Sequence, residues 1–147
     1  VDIETFFEDE VYLYAINAQT RYLAGMKDHS QPVTEADFEV AAANIEKHFY
    51  IVGLMEEFDT TMLLFKKKLG WSGLPLYKRA NVTPKDKERK QISERAKSII
   101  REKFTYDFRL YELAQKRFQE HVEENKSFLS WNKPYYGLRL RIHQKFR

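Results

Sequence analysis

Between residues 3 and 24 the apolar side chains Phe6, Phe7, Tyr12, Leu13, Ile16, Tyr22 and Leu23 recur at the intervals of one or two helices, and Gly25 supplies a stop. The polar run Lys27-Asp28-His29-Ser30-Gln31-Pro32 predicts a loop. Thr34 then offers an N-cap. Glu35 and Asp37 favour the first turn electrostatically, and Phe38, Ala41, Ala42 and Ile45 carry a helix through about Lys47. At Phe49-Tyr50-Ile51-Val52 the rhythm changes. Four consecutive β-branched or aromatic residues bounded by Gly53 predict a short buried strand of the kind found in parallel sheets. Asp59 is placed to cap the next helix, which holds Met62, Leu63, Phe65 and Leu69 and ends at Gly70. Helix, strand and helix in succession predict an α/β layer, although one strand cannot make a sheet by itself.

Residues 70–84, rich in Gly and Pro, predict an ordered loop. A long helical pattern follows from about Pro84 to Asn125, through Ile92, Ala96, Ile99, Ile100, Leu110, Tyr111, Ala114, Phe118 and Val122. The weak helix formers Phe104-Thr105-Tyr106 are where it divides. From Ser127 to Arg147 the chain is aromatic and basic, with no acid. The organisation expected is one main body over 1–126 and a basic aromatic tail over 127–147.

At 147 residues, 43% of them hydrophobic and 15% aromatic, the chain has material for a real core. No apolar run approaches a membrane span. The start at Val1 shows no initiator Met or signal-peptide pattern, and a beginning in mid-pattern suggests a trimmed or partial chain. The absence of cysteine excludes disulfides, thiolate catalysis and cysteine-held zinc. The four histidines are scattered, with no HExxH or ExxH spacing, so no metal site is expected. Neither a GxSxG elbow nor a phosphate-cradling Gly-rich loop occurs.

Charge is unevenly spread. Residues 1–65 hold 3 Lys and Arg against 13 Asp and Glu, whereas residues 66–103 hold 13 against 4. Such a contrast serves solvated faces and mutual neutralisation, or it marks an electropositive surface for a polyanion.

Several phrases in order carry more information. They are Asn17-Ala18-Gln19-Thr20-Arg21-Tyr22-Leu23-Ala24-Gly25, then His48 to Asp59 (HFYIVGLMEEFD), then Asn81-Val82-Thr83, and then Asp107-Phe108-Arg109-Leu110-Tyr111-Glu112. Together, over roughly residues 3–120, they resemble the later part of the carbohydrate sulfotransferases that include heparan sulfate and uronyl 2-O-sulfotransferases and their bacterial relatives. The resemblance implies a P-loop-like α/β fold, of which this chain would be the mostly helical C-terminal half with one short buried strand. It implies transfer of a sulfuryl group from 3′-phosphoadenosine-5′-phosphosulfate (PAPS) to a carbohydrate hydroxyl, without a metal. The phosphosulfate loop and the catalytic base would lie upstream of Val1, so no catalytic residue is expected here and the chain alone would be inactive.

The resemblance also places the basic loop after the sheet-layer helix over the nucleotide. Lys78 and Arg79 would then pair with the 3′-phosphate, with Asn81 and Thr83 adding hydrogen bonds. Gln19 and Arg21 would face the sugar or the donor, against the plainer reading of a polar helix end with Arg21 paired to an acid. Glu56 reads as structural at a helix start, and Asp107 and Tyr111 as packing their helix onto the body. The competing reading is a helical module that docks nucleic acid or another polyanion on the basic stretch 66–103. It accounts for the charge but not for the ordered phrases. Bacterial relatives are cytoplasmic and animal ones sit in the Golgi lumen, which leaves the compartment open.

Overall fold

The computed structural model describes residues 14–28, 30–78, 80 and 92–145. Among these residues the regular structure is six helices: α1 (Ala18–Ala24), α2 (Glu35–His48), α3 (Phe58–Lys68), α4 (Glu94–Lys103), α5 (Thr105–Glu124) and α6 (Lys126–Lys145). They fall into two compact units. One comprises 1–50 and 89–113, the other 51–88 and 114–147, and α5 contributes to both.

In the first unit, α1 and α2 pack together. Gly25 ends α1 at φ 75°, a left-handed conformation that glycine adopts without strain, and its N–H returns to the last turn. Asn44 on α2 donates to the Leu23 carbonyl at 2.8 Å, satisfying an acceptor the helix end leaves open. Thr34 and Asp37 form a reciprocal capping box. The Thr34 hydroxyl accepts the Asp37 N–H, and the Asp37 carboxylate accepts the Thr34 N–H at 2.8 Å. These two bonds set the start of α2. Ala41 and Ile45 on α2, Ala96 on α4 and Leu110 on α5 are buried apolar residues of this unit.

The second unit holds a larger core of Leu54, Leu63, Leu64, Phe118, Leu129, Tyr136 and Leu140. Its helices α3 and α6 pack against each other. Leu63 and Leu64 are fully buried, each worth about 2 kcal/mol of transfer free energy. Ile51, Met62, Leu74, Leu76, Val122 and Phe128 close around them.

The α/β expectation is overturned: the described residues contain no strand and no sheet, so a P-loop-like α/β fold is not what this chain forms. Phe49 to Val52 link α2 to α3 without a ladder partner, and Phe49 and Tyr50 are 45% and 66% exposed rather than buried. A β-branched run becomes a strand only when a neighbour takes its N–H and C=O groups. At Leu54 those groups go instead to one side chain. The Thr61 hydroxyl accepts the Leu54 N–H at 3.1 Å and donates to the Leu54 carbonyl at 3.2 Å.

The element boundaries compare with the expected ones as follows. Helix α3 begins at Phe58, so Asp59 lies inside its first turn and is not its cap. The long helical pattern breaks at Phe104, within the stretch expected to divide it, while its first residues from Pro84 to Gln91 lie outside the described set. Most of the basic tail is helix α6, which accommodates both Pro134 and Gly137.

Candidate functional site

Helix α3 ends in Leu69 and the left-handed Gly70, which turns the chain into a loop leading to the basic segment at 78. The loop is pinned at several points within its own unit. The Lys66 ammonium donates to the Trp71 carbonyl at 2.5 Å and to that of Ser72 at 3.1 Å. The buried Tyr136 of α6 donates its hydroxyl to the Pro75 carbonyl at 2.8 Å. Burial first, and then the nearby Asp59 carboxylate and Tyr77, push the Tyr136 phenol up to about 12, so it holds its proton as a donor. Tyr77 donates to the Asp59 carboxylate at 2.6 Å and meets Phe58 edge-on with ring centres 4.7 Å apart. The residue before Lys78 is therefore fixed to the first turn of α3, and Lys78 itself stands exposed beyond it. The other expected donor residues, Arg79, Asn81 and Thr83, lie outside the described residues.

The expected sugar-facing residues separate. Gln19 is exposed on α1, and its backbone N–H reaches an Asp107 carboxylate oxygen at 3.3 Å. Arg21 is 1% exposed, and its guanidinium donates to the Gln31 carbonyl at 2.6 Å, tying α1 to the loop before α2. Ser30, through its hydroxyl and its N–H, holds the Asp28 carboxyl below the usual range, with Arg21 adding a smaller pull.

Two of the phrases that carry the resemblance, the one from Asn17 to Gly25 and the one from Asp107 to Glu112, meet in the first unit. Asp107, at the start of α5, accepts the Thr20 N–H and the Thr20 hydroxyl on one oxygen, both at 2.8 Å, and the Gln19 N–H on the other. Asn17, at a left-handed φ of 52° before α1, donates its amide to the Lys103 carbonyl at 2.9 Å and accepts the Asp107 N–H at 3.0 Å. A carboxylate thus sits on the open N–H groups of α1, while an asparagine bridges the break between α4 and α5. Two residues further along α5, Arg109 lies 3.9 Å from the Phe38 ring centre and forks onto both Glu35 oxygens, at 2.7 and 2.6 Å. The fork holds the Glu35 carboxyl below its ordinary range and raises Arg109.

In the second unit Glu57, the residue before α3, accepts the Thr60 hydroxyl at 3.0 Å without bonding a backbone N–H of the helix start, and both Glu57 and Glu56 are exposed. Both glutamates border a groove of about 400 Å³ floored by Leu54, Phe118 and Val122 and also edged by Lys133. Sequence reading missed this groove, because its walls come from three separated stretches of chain. Of the basic residues that open the 66–103 stretch, Lys66 serves the loop carbonyls, Lys67 lies 5.2 Å from the Phe128 ring centre, and Lys68 lies 3.7 Å from Glu124. Among the described residues no group of three or more His, Cys, Asp and Glu side chains is arranged to hold a metal.

Compared with protein-family models, with curated proteins and with solved structures, the chain matches none.

Proposed function

We propose that this chain is a helical portion of a carbohydrate sulfotransferase, contributing framework and a donor-facing basic loop to the transfer of a sulfuryl group from PAPS to a sugar hydroxyl. The observation that carries the reading is the junction at Asp107. The Asn-x-Gln-Thr-Arg phrase and the Asp-x-x-Leu-Tyr-Glu phrase lie some ninety positions apart, yet four hydrogen bonds join them, three given by backbone N–H groups and one by the Thr20 hydroxyl. Residues that match a pattern by coincidence have no reason to converge in this way. Their convergence supports treating the phrases as one inherited unit.

In the reaction the acceptor hydroxyl would give its proton to a general base, its oxygen would bond to sulfur, and the bond from sulfur to the phosphate oxygen would break. The leaving nucleotide carries away the negative charge. Lys78, with Arg79, Asn81 and Thr83, would neutralise and bond its 3′-phosphate, and the loop pinned at Trp71, Pro75 and Tyr77 would set where that charge is presented.

The test is calorimetric titration of the complete gene product with the desulfated donor (PAP) and with adenosine 5′-phosphate, which lacks the 3′-phosphate. PAP should bind more tightly. Arg79→Ala should weaken PAP binding by about 10- to 150-fold, equivalent to about 1.5–3 kcal/mol, and leave adenosine 5′-phosphate unaffected. Arg79→Lys should recover part of the loss. Equal affinity for the two nucleotides would overturn the reading. So would equal sensitivity to Lys66, Lys67, Lys87 and Arg89 substitutions, the behaviour of a general polyanion surface.

A further inference from the structure

Helix α6 is apolar on two opposite faces. Leu129, Tyr136 and Leu140 point into the core of their unit. On the far side, Trp131, Tyr135, Leu138 and Ile142 are all exposed, Trp131 by 83%. At roughly 100° per residue these four fall within an arc of about 60°, directly opposite the buried three, in a stripe about 16 Å long. Scattered exposed apolar residues need no explanation, but a continuous line of four on one helix does. By the same geometry Arg139 and Arg141 fall on either side of the stripe, with Lys145 near its end. Residues 126–147 carry 6 Lys and Arg and no Asp or Glu.

We propose that this outward face of α6 docks, lying flat, on an anionic lipid surface. Charge selects the occupant. A second copy of the chain would set like charges against one another, whereas phosphate and carboxylate headgroups would meet the flanking arginines. The composition of the stripe narrows the choice further. A dry seam against an acidic helix would bury the Trp131 indole N–H and the Tyr135 hydroxyl without assured partners. At a membrane interface both rings lie among headgroups and water while Leu138 and Ile142 reach the acyl boundary. None of the described helices is long and apolar enough to cross a membrane, so the mode is surface attachment. The inference does not depend on sulfuryl transfer.

The probe is vesicle flotation with phosphatidylcholine alone and with about a third phosphatidylserine. The chain has two tryptophans, so Trp71→Phe leaves Trp131 as its single indole reporter. The protein should float with the anionic vesicles and not with the neutral ones, and Trp131 emission should shift to the blue on binding. Trp131→Ser with Leu138→Ser should weaken binding by about ten-fold or more with helical circular dichroism unchanged, since both side chains are exposed. Arg139→Gln with Arg141→Gln should erase the preference for anionic lipid. No flotation, no blue shift, or unchanged flotation of the Trp131/Leu138 variant would overturn the proposal. A dimer in sedimentation that Leu138→Ser dissolves, without vesicle binding, would assign the face to a second copy and overturn it equally.

Discussion

A Cβ placed on Gly53 would lie 2.2 Å from the Thr61 Cγ2, inside any tolerable contact. Thr61 cannot swing aside cheaply, because it is buried and its hydroxyl is engaged with both backbone groups of Leu54. Gly53→Ala should therefore cost about 1–3 kcal/mol, the range for forcing extra volume into a packed site. Thr61→Ser removes the offending methyl and keeps the hydroxyl. The remaining approaches, 3.1 Å to Oγ1 and 3.2 Å to Cβ, are tight but can be relieved by small shifts. Urea unfolding followed by tryptophan emission should show Gly53→Ala/Thr61→Ser more stable than Gly53→Ala alone. Simple addition of the two losses would mean that the close approach is not what requires glycine here. Sequence alone gave Gly53 the role of bounding a strand. Its true partner lies eight positions on, across a turn, and no local spacing rule points to it.

Among the elements, those that depend on neighbours in sequence were the readable ones. The Thr34 cap, the helix from Glu35 to His48, the stop at Gly25 and the break near Phe104 all rest on bonds within a few residues. The strand at Phe49–Val52 failed because its formation depends on a partner that propensity cannot see. Helix α6 was read only as a basic aromatic tail, since Pro134 and Gly137 mask a pattern that Leu129, Tyr136 and Leu140 keep at helical spacing. Residues 71–78 form a loop, as their glycine and proline predict, and that placement leaves open what Lys78 binds. The burial of Arg21 could not be read from its own phrase, because the carbonyl it serves lies beyond a loop.

The junction between α1 and α5 is also a long-range feature, and it can be tested as one. Asp107→Ala removes three acceptor contacts from the start of α1, for an expected loss of about 2 kcal/mol. Amide exchange should accelerate in α1 and the first turns of α5. Asn17→Ala added to Asp107→Ala should cost less than the sum of the two single losses, because the same junction is already open. Full additivity would show that the two side chains act separately.

Taken over the whole molecule, the uneven charge of the sequence becomes a difference between units. The first unit's segments carry 10 Lys and Arg against 14 Asp and Glu, and the second unit's carry 15 against 8. Acid should therefore reach the two units differently. In the first, the carboxyls of Asp28, Glu35 and Asp37 are held below their ordinary values, chiefly by hydrogen bonds from Ser30, Arg109 and Thr34 respectively. Groups depressed in the folded state lend stability above their unfolded values, near pH 4, and lose it as pH falls further. In the second unit one titrating group stands out by its burial, His121. It is buried, its ring nitrogens have no hydrogen-bond partner among the described residues, and Nδ1 stands 3.7 Å from Glu124. Burial first, and then the positive charge of Lys68, hold its pKa below the ordinary value, with Glu124 opposing. The folded unit resists a proton that the unfolded chain accepts near pH 6.5, so its stability is full above that value and declines as pH falls toward the lower folded pKa. Trp71 and Trp131 both belong to this unit, which makes tryptophan emission its reporter. The urea midpoint read by emission should fall between about pH 7.5 and pH 5.5, while the first unit's carboxylates stay ionised. His121→Leu should flatten that dependence. It should also leave stability at neutral pH unchanged or slightly higher, because it replaces two unbonded buried nitrogens with apolar surface. A His121→Leu midpoint that falls as steeply as the native one would locate the acid sensitivity elsewhere.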